Sequence, residues 1–326
     1  MKLNAYFCSS KKLSFDCEMI NRELVRLKVV QLAYANYKNS GKSLDSAMKE
    51  LTFSLSKTYD LYHYLLLLIT NVTDYAEKRY ESLNERLKKI GSEEFPNPRF
   101  VKNRFALQLL QNKQLCKFEE DRKIHHWTDA EDVIRNLYKQ ITESDIYEEY
   151  MSSEEDSYNI DREFWRRVYK KIICNNDAID TVLEEWSLYW NDDKEIIDTF
   201  VLKTIKRFEM SNTSEQPLLP AYSSDEDKEF AEKLFENVLI HHEEYEDLIR
   251  QNTKNWDFSR IAIMDLIIMD CALAEIINFP TIEINVTLNE YINIAKIYSS
   301  PKSAGYINGM LDHIVRNLKE ENKLIK

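Results

Sequence analysis

From Ile261 to Ala274 the chain reads IAIMDLIIMDCALA, apolar on almost every side of a helix and broken only by Asp265 and Asp270. Ile261, Met264, Ile268, Met269 and Ala272 fall at helical spacing, which predicts a central helix buried all round. Such a helix cannot lie at a surface, so other helices have to cover it. Two shorter amphipathic segments follow, TLNEYINIAKIY and SPKSAGYINGMLDHIV, and Pro280 and Pro301 mark the breaks. Gly305 and Gly309, four apart on one face of the last segment, predict a place where another helix or a ligand comes close.

The rest of the 326-residue chain fits an all-α fold. Four glycines and six prolines leave room for long helices and short connections, and argue against a sheet-rich architecture. Cys8, Cys17, Cys116, Cys174 and Cys271 are odd in number and scattered, as in a reducing cytosol, with no disulfide framework or zinc spacing. No apolar run approaches the ~20 residues of a membrane span, and the first 18 residues lack a secretory apolar core. A soluble cytoplasmic protein is expected. The net charge of −12 is uneven: residues 129–200 hold 20 acidic against 8 basic side chains, which alone gives −12. Residues 20–42 carry Arg22, Arg26, Lys28, Lys38 and Lys42 against Glu23, a local +4. With screening over ~8 Å, a basic patch on such a protein can still hold RNA.

Residues 1–18 show no periodicity and read as a disordered or mis-assigned extension, with the chain's own start at Met19. Asn21 is a cap, and the helix 21–37 buries Val25, Val29, Leu32 and Ala33 while Arg22 and Arg26 share a neighbouring face. Helices are expected over 43–57, 59–90 and 99–118, and Thr128–Glu131 reads as a capping box for the next. Residues 211–224, holding Pro217 and Pro220, form the clearest boundary. A 66-residue echo crosses it. Asp161-Arg162-Glu163-Phe164 matches Asp227-Lys228-Glu229-Phe230, Trp190 matches Trp256, and Val168/Leu234, Tyr169/Phe235 and Leu183/Ile249 keep apolar character in register. The echo is read either as a degenerate duplication or as two amphipathic helices aligning by chance.

Several features in order resemble the NusB family of bacterial transcription antitermination factors. They are Asn255-Trp256, Leu288-Asn289-Glu290 with Ala295-Lys296, and Ser303 with Tyr306-Ile307-Asn308-Gly309 and Leu311-Asp312. The resemblance is close over about the last hundred residues and returns at 20–37, where Val30-Gln31-Leu32-Ala33-Tyr34 is similar to the end of the family's first helix. It implies a NusB-like helical bundle built from 20–56 and 225–320. A second helical bundle, 57–210, would be inserted between them, and 211–224 would serve as linker. It further implies binding of boxA RNA in ribosomal RNA leader transcripts, together with the small ribosomal-subunit protein that doubles as NusE, so that RNA polymerase reads through terminators. The RNA-binding residues it implies are Arg22, Arg26, Lys28, Lys302, Ser303 and Tyr306. Tyr306 then stacks on a base; the alternative is a core tyrosine with its hydroxyl in water. The arginine pair likewise reads as a phosphate track or as a solvated face. A scaffold that binds proteins and no RNA is the second functional reading.

Catalysis is not expected. With Gly41, Gly91, Gly305 and Gly309 as the only glycines, no phosphate-cradling loop or dinucleotide fingerprint can be written. That argues against the RNA methyltransferases to which NusB-like domains are also fused, whose cofactor fold needs a glycine-rich turn after a strand. His125-His126 and His241-His242 are adjacent pairs whose side chains diverge on a helix, so neither predicts a metal site and both read as solvated. No cofactor is expected.

Overall fold

The computed structural model describes residues 19–39, 42–122, 126–222, 224–253, 258–300 and 302–324, and among them every regular element is helical. Asn103, Asn112, Ser144, Ser157 and Asn176 cap helices in the middle of the chain as Asn21 and Ser43 do near its start. The fold is all-α.

Helix α1 (Arg22–Lys38) starts where the sequence places it, with the Asn21 side chain accepting the Leu24 N–H at 2.9 Å. Its burial is wider than a stripe: Leu24 through Val30 are all buried. The two helices expected over 43–57 and 59–90 are one, α2 (Leu44–Lys89), 46 residues long. Nothing between Ser56 and Tyr59 breaks it, and Thr58 returns its hydroxyl to the Ser54 carbonyl at 3.1 Å. Its middle is buried on every side from Asp60 to Thr70, whereas its last turns, from Lys78 on, are mostly exposed. Gly91 ends it in the left-handed region, at φ +69°, where a Cβ would be strained.

The helix expected over 99–118 is split into α3 (Arg104–Leu110) and α4 (Lys113–Glu120), because Asn112 caps the second half and donates to the Gln216 carbonyl at 2.7 Å. The expected capping box is absent. Thr128 lies within the short α5 (His126–Asp129), and α6 (Glu131–Thr142) begins after Ala130 without a side-chain cap. Then come α7 (Asp145–Ser152), α8 (Tyr158–Val168) with a π-helical turn over Tyr169–Ile173, α9 (Asp177–Trp186) and α10 (Lys194–Arg207). The last part holds α11 (Asp225–Ile240), α12 (His242–Asn252), α13 (Ile263–Asn278), α14 (Ile284–Tyr298) and α15 (Ser303–Glu320). Helix α13 is buried from Asp265 through Ile276, as its composition demands, and α1, α11, α12, α14 and α15 cover it.

Residues 216–222 are no loose linker. The Leu219 N–H donates to Tyr62 Oη at 3.1 Å, Tyr59 Oη donates to the Leu219 carbonyl at 2.9 Å, and Leu218 N–H reaches Gln114 at 2.7 Å. The Pro220 and Ala221 carbonyls accept from Met19 and Ile20 just ahead of α1. This strap ties α2 and α4 to the entrance of α1. The echo has a three-dimensional counterpart: α3 packs on α8 as α1 packs on α11. Asn103 caps α3 as Asn21 caps α1, and Arg104 approaches Asp161 at 3.8 Å as Arg22 approaches Asp227 at 3.3 Å. Trp190 donates to the Lys57 carbonyl at 2.7 Å; its counterpart Trp256 lies outside the described residues.

Candidate nucleic-acid interface

The cap and first turn of α15 carry three of the six residues that the sequence singles out. Lys302 is exposed, Ser303 and Tyr306 are half-buried, and the i, i+3 spacing stacks Ser303 and Tyr306 on one face. Ser303 is fixed by Ser300, whose carbonyl accepts its N–H at 2.9 Å and whose hydroxyl lies 2.8 Å from its own. The Tyr306 ring packs on the core along one side, close to Asp265, and burial pushes its phenol pKa up, with the Asp265 charge adding to it. Gly305, Asn308 and Gly309 are exposed beside it. A Cβ built on either glycine meets nothing within 4 Å, so the close helix approach expected there is not made among the described residues. The bare face opens to solvent instead. Pro301, Asn255 and Trp256 lie outside the described residues.

The three α1 cations have separate fates. Arg22 is 41% exposed, 3.3 Å from Asp227 and 5.1 Å above the Phe230 ring, which leaves its guanidinium within reach of a ligand. Arg26 is 4% exposed and makes two hydrogen bonds to Glu275, at 2.7 and 2.8 Å, while Glu290 stands 3.9 Å away. Burial opposes that charge, but the Glu275 bonds and charge outweigh it and hold the guanidinium pKa above its ordinary value. Thr287 and Tyr291 complete the Glu275 carboxylate, at 2.7 and 3.4 Å. Lys28 is 1% exposed, pairing with Asp193 at 2.7 Å and donating to the Tyr189 carbonyl at 3.0 Å. Burial raises the Asp193 pKa against the pull of Lys28, and Thr58 bonds it at 2.5 Å. Arg26 and Lys28 are therefore core ion pairs, contrary to the phosphate-contact expectation, because α1 runs through the interior and internal carboxylates meet both charges.

Arg22 and Tyr306 do not face each other across a shared groove. The N-terminal turns of α1 lie at the Glu275–Glu290 end of the α13–α14 pair, whereas Ser299 and Tyr306 lie at its Asp265 end. Asp265 to Glu275 spans about 15 Å of helix. Between them α1 comes to α14 through Gln31, which donates to Tyr298 Oη at 2.8 Å and to Asp192 at 3.0 Å. A ligand contacting both ends has to be extended.

Sequence reading passed over the counter-ions Glu275 and Asp193, since pairs 249 and 165 positions apart leave no local signal. His242, expected to be solvated, is instead drawn against the core by Asp270. Half-buried on α12, His242 lies 2.5 Å from the fully buried Asp270 and edge-on to Tyr37. No group of three or more potential metal ligands occurs among the described residues, and no helix there is long and apolar enough to cross a membrane.

The family model described as "NusB family" matches residues 199–316, beginning inside α10. The transcription antitermination protein NusB of Salinibacter ruber is 33% identical over 132 residues, which cover 39% of this chain and 82% of that protein. Its counterpart in Geotalea daltonii is 34% identical over 137 residues, 41% of this chain and 90% of that protein. That of Geotalea uraniireducens is 35% identical over 133 residues, 40% and 89% respectively. No solved structure matched. With relatives at this identity matched over most of their length, the chain belongs to the NusB family.

Proposed function

We propose that this protein acts in transcription antitermination by binding boxA-type single-stranded RNA of ribosomal RNA transcripts. It does so with the small ribosomal-subunit protein that doubles as NusE, within the complex that carries RNA polymerase through terminators. The observation that carries the reading is the start of α15, where exposed Lys302 and half-buried Ser303 and Tyr306 lie beside the open Gly305–Gly309 face in a chain of this family. One charge, one hydroxyl and one aromatic face are the parts a single strand needs, and base stacking contributes roughly 1–3 kcal/mol. The mechanism is assembly and positioning. A cationic partner suits the net charge of −12.

Filter binding of boxA-like against scrambled RNA, with and without the ribosomal partner, tests this. Preference for boxA, strengthened by the partner and lost in Tyr306→Ala, is the expected result; equal weak binding of both RNAs overturns it. The burial of Arg26 and Lys28 favours a second reading, a scaffold that binds proteins and no RNA, and that same null result supports it. For the segment ahead of α10 we propose a duplicated helical unit, on the strength of the matching Asn103–Arg104–Asp161 and Asn21–Arg22–Asp227 arrangements.

A further inference from the structure

Helix α10 ends in a cationic face. Lys203, Lys206 and Arg207 are all exposed on the last turns of that helix, and no carboxylate among the described residues forms an ion pair with any of them. Elsewhere on this acidic surface cations are commonly paired, as Lys233 is with Glu229 and Lys78 with Asp74. Lys203 Nζ lies 4.7 Å from the Phe200 ring centroid, which restrains the side chain without cancelling its charge.

A short chain of hydrogen bonds places this face beside the start of α1. Thr204, flanked by the three cations, bonds Tyr62 at 2.7 Å; Tyr62 accepts the Leu219 N–H; and the next two strap carbonyls hold Met19 and Ile20 at 3.2 and 2.8 Å. Asn21 and Arg22 follow at once. Lys203 is near enough to Glu23, on the first turn of α1, for their charges to attract. With Arg26 and Lys28 committed to the core, Arg22 is the cation of the first two turns of α1 left at the surface.

We propose that Lys203, Lys206 and Arg207 of α10 extend the RNA-binding surface past Arg22, supplying phosphate contacts that α1 itself cannot. This rests on the RNA-binding reading above. A polyanion is the ligand that the face suits, because three cations without an ion pair among the described residues gather along one helix edge of a molecule that is otherwise strongly negative, with the Glu23 carboxylate near Lys203.

The test uses the full chain and a fluorescent single-stranded boxA-type RNA, with affinity measured from about 50 to 200 mM salt. The triple variant Lys203→Ala/Lys206→Ala/Arg207→Ala is expected to bind on the order of tenfold more weakly, with the slope of log K against log salt reduced by up to about 2. A charge-keeping triple, Lys203→Arg/Lys206→Arg/Arg207→Lys, is expected to keep the wild-type slope, which separates lost contacts from lost folding. Tyr306→Ala is expected to weaken binding at unchanged slope. Should the alanine triple match wild type in affinity and slope while Tyr306→Ala weakens binding, the α10 surface is refuted and the RNA reading stands. Should wild type itself fail to bind RNA, both fall.

Discussion

Replacing Arg26 by alanine strips the fully buried Glu275 carboxylate of its guanidinium partner, and removal of one partner of a buried pair costs about 3–5 kcal/mol. Urea denaturation is expected to show that loss, and Arg26→Met combined with Glu275→Leu is expected to recover most of it. Arg22→Ala, at a half-exposed pair, is expected to cost under about 1 kcal/mol. It should flatten the salt dependence of RNA binding by about 0.7, the share of one phosphate. The two arginines look equivalent in the sequence, four apart on one face. What separates them is Glu275, far away in sequence, and helical periodicity carries no such information. Tyr306, in contrast, was legible to the extent that a local motif can be: its place on the first turn of α15 was readable, and its partial packing against the core was not.

At the scale of elements, the composition correctly implied an all-α chain, and α1 and the buried α13 were readable from caps and periodicity. Boundaries that depend on tertiary partners were not. Asn112 splits a helix because its side chain finds the Gln216 carbonyl, and α2 runs on because its middle is enclosed on every side. The tie between α12 and α13 makes a prediction of its own. Hydrogen bonding to Asp270 raises the His242 pKa, while burial pushes the Asp270 carboxyl up to about 6 despite His242. Both groups hold protons more tightly in the folded state than in the unfolded chain. The His242 contribution is complete below pH 6.5 and lost as pH rises through its higher folded value; that of Asp270 grows as pH falls below about 6. Thermal stability is therefore expected to rise from pH 8 to pH 5, and Asp270→Asn to flatten the rise by roughly 1–3 kcal/mol. Melting curves with parallel pH dependence in the two proteins would remove the pair from this role.

Across the whole molecule the buried apolar residues form one continuous cluster from Met19 to Leu318, and the expected division at 56/57 falls inside α2. The family match begins inside α10, ahead of the boundary expected at 211–224. Lys28 and Asp193 join α1 to the start of α10 through a fully enclosed ion pair that also includes Thr58 of α2. Heat or urea is expected to unfold the chain in one transition, and Lys28→Ala to keep it single while lowering the free energy of unfolding by about 3–5 kcal/mol. Two separable transitions would show that the halves are independent. Helix α2 has a mechanical consequence. From Thr58, anchored beneath α1, to its exposed end at Lys89 it rises through 31 residue steps, a rod of about 46 Å without a break. Anything docking at that far tip would be held at a set stand-off from α1, because the rod between them cannot shorten.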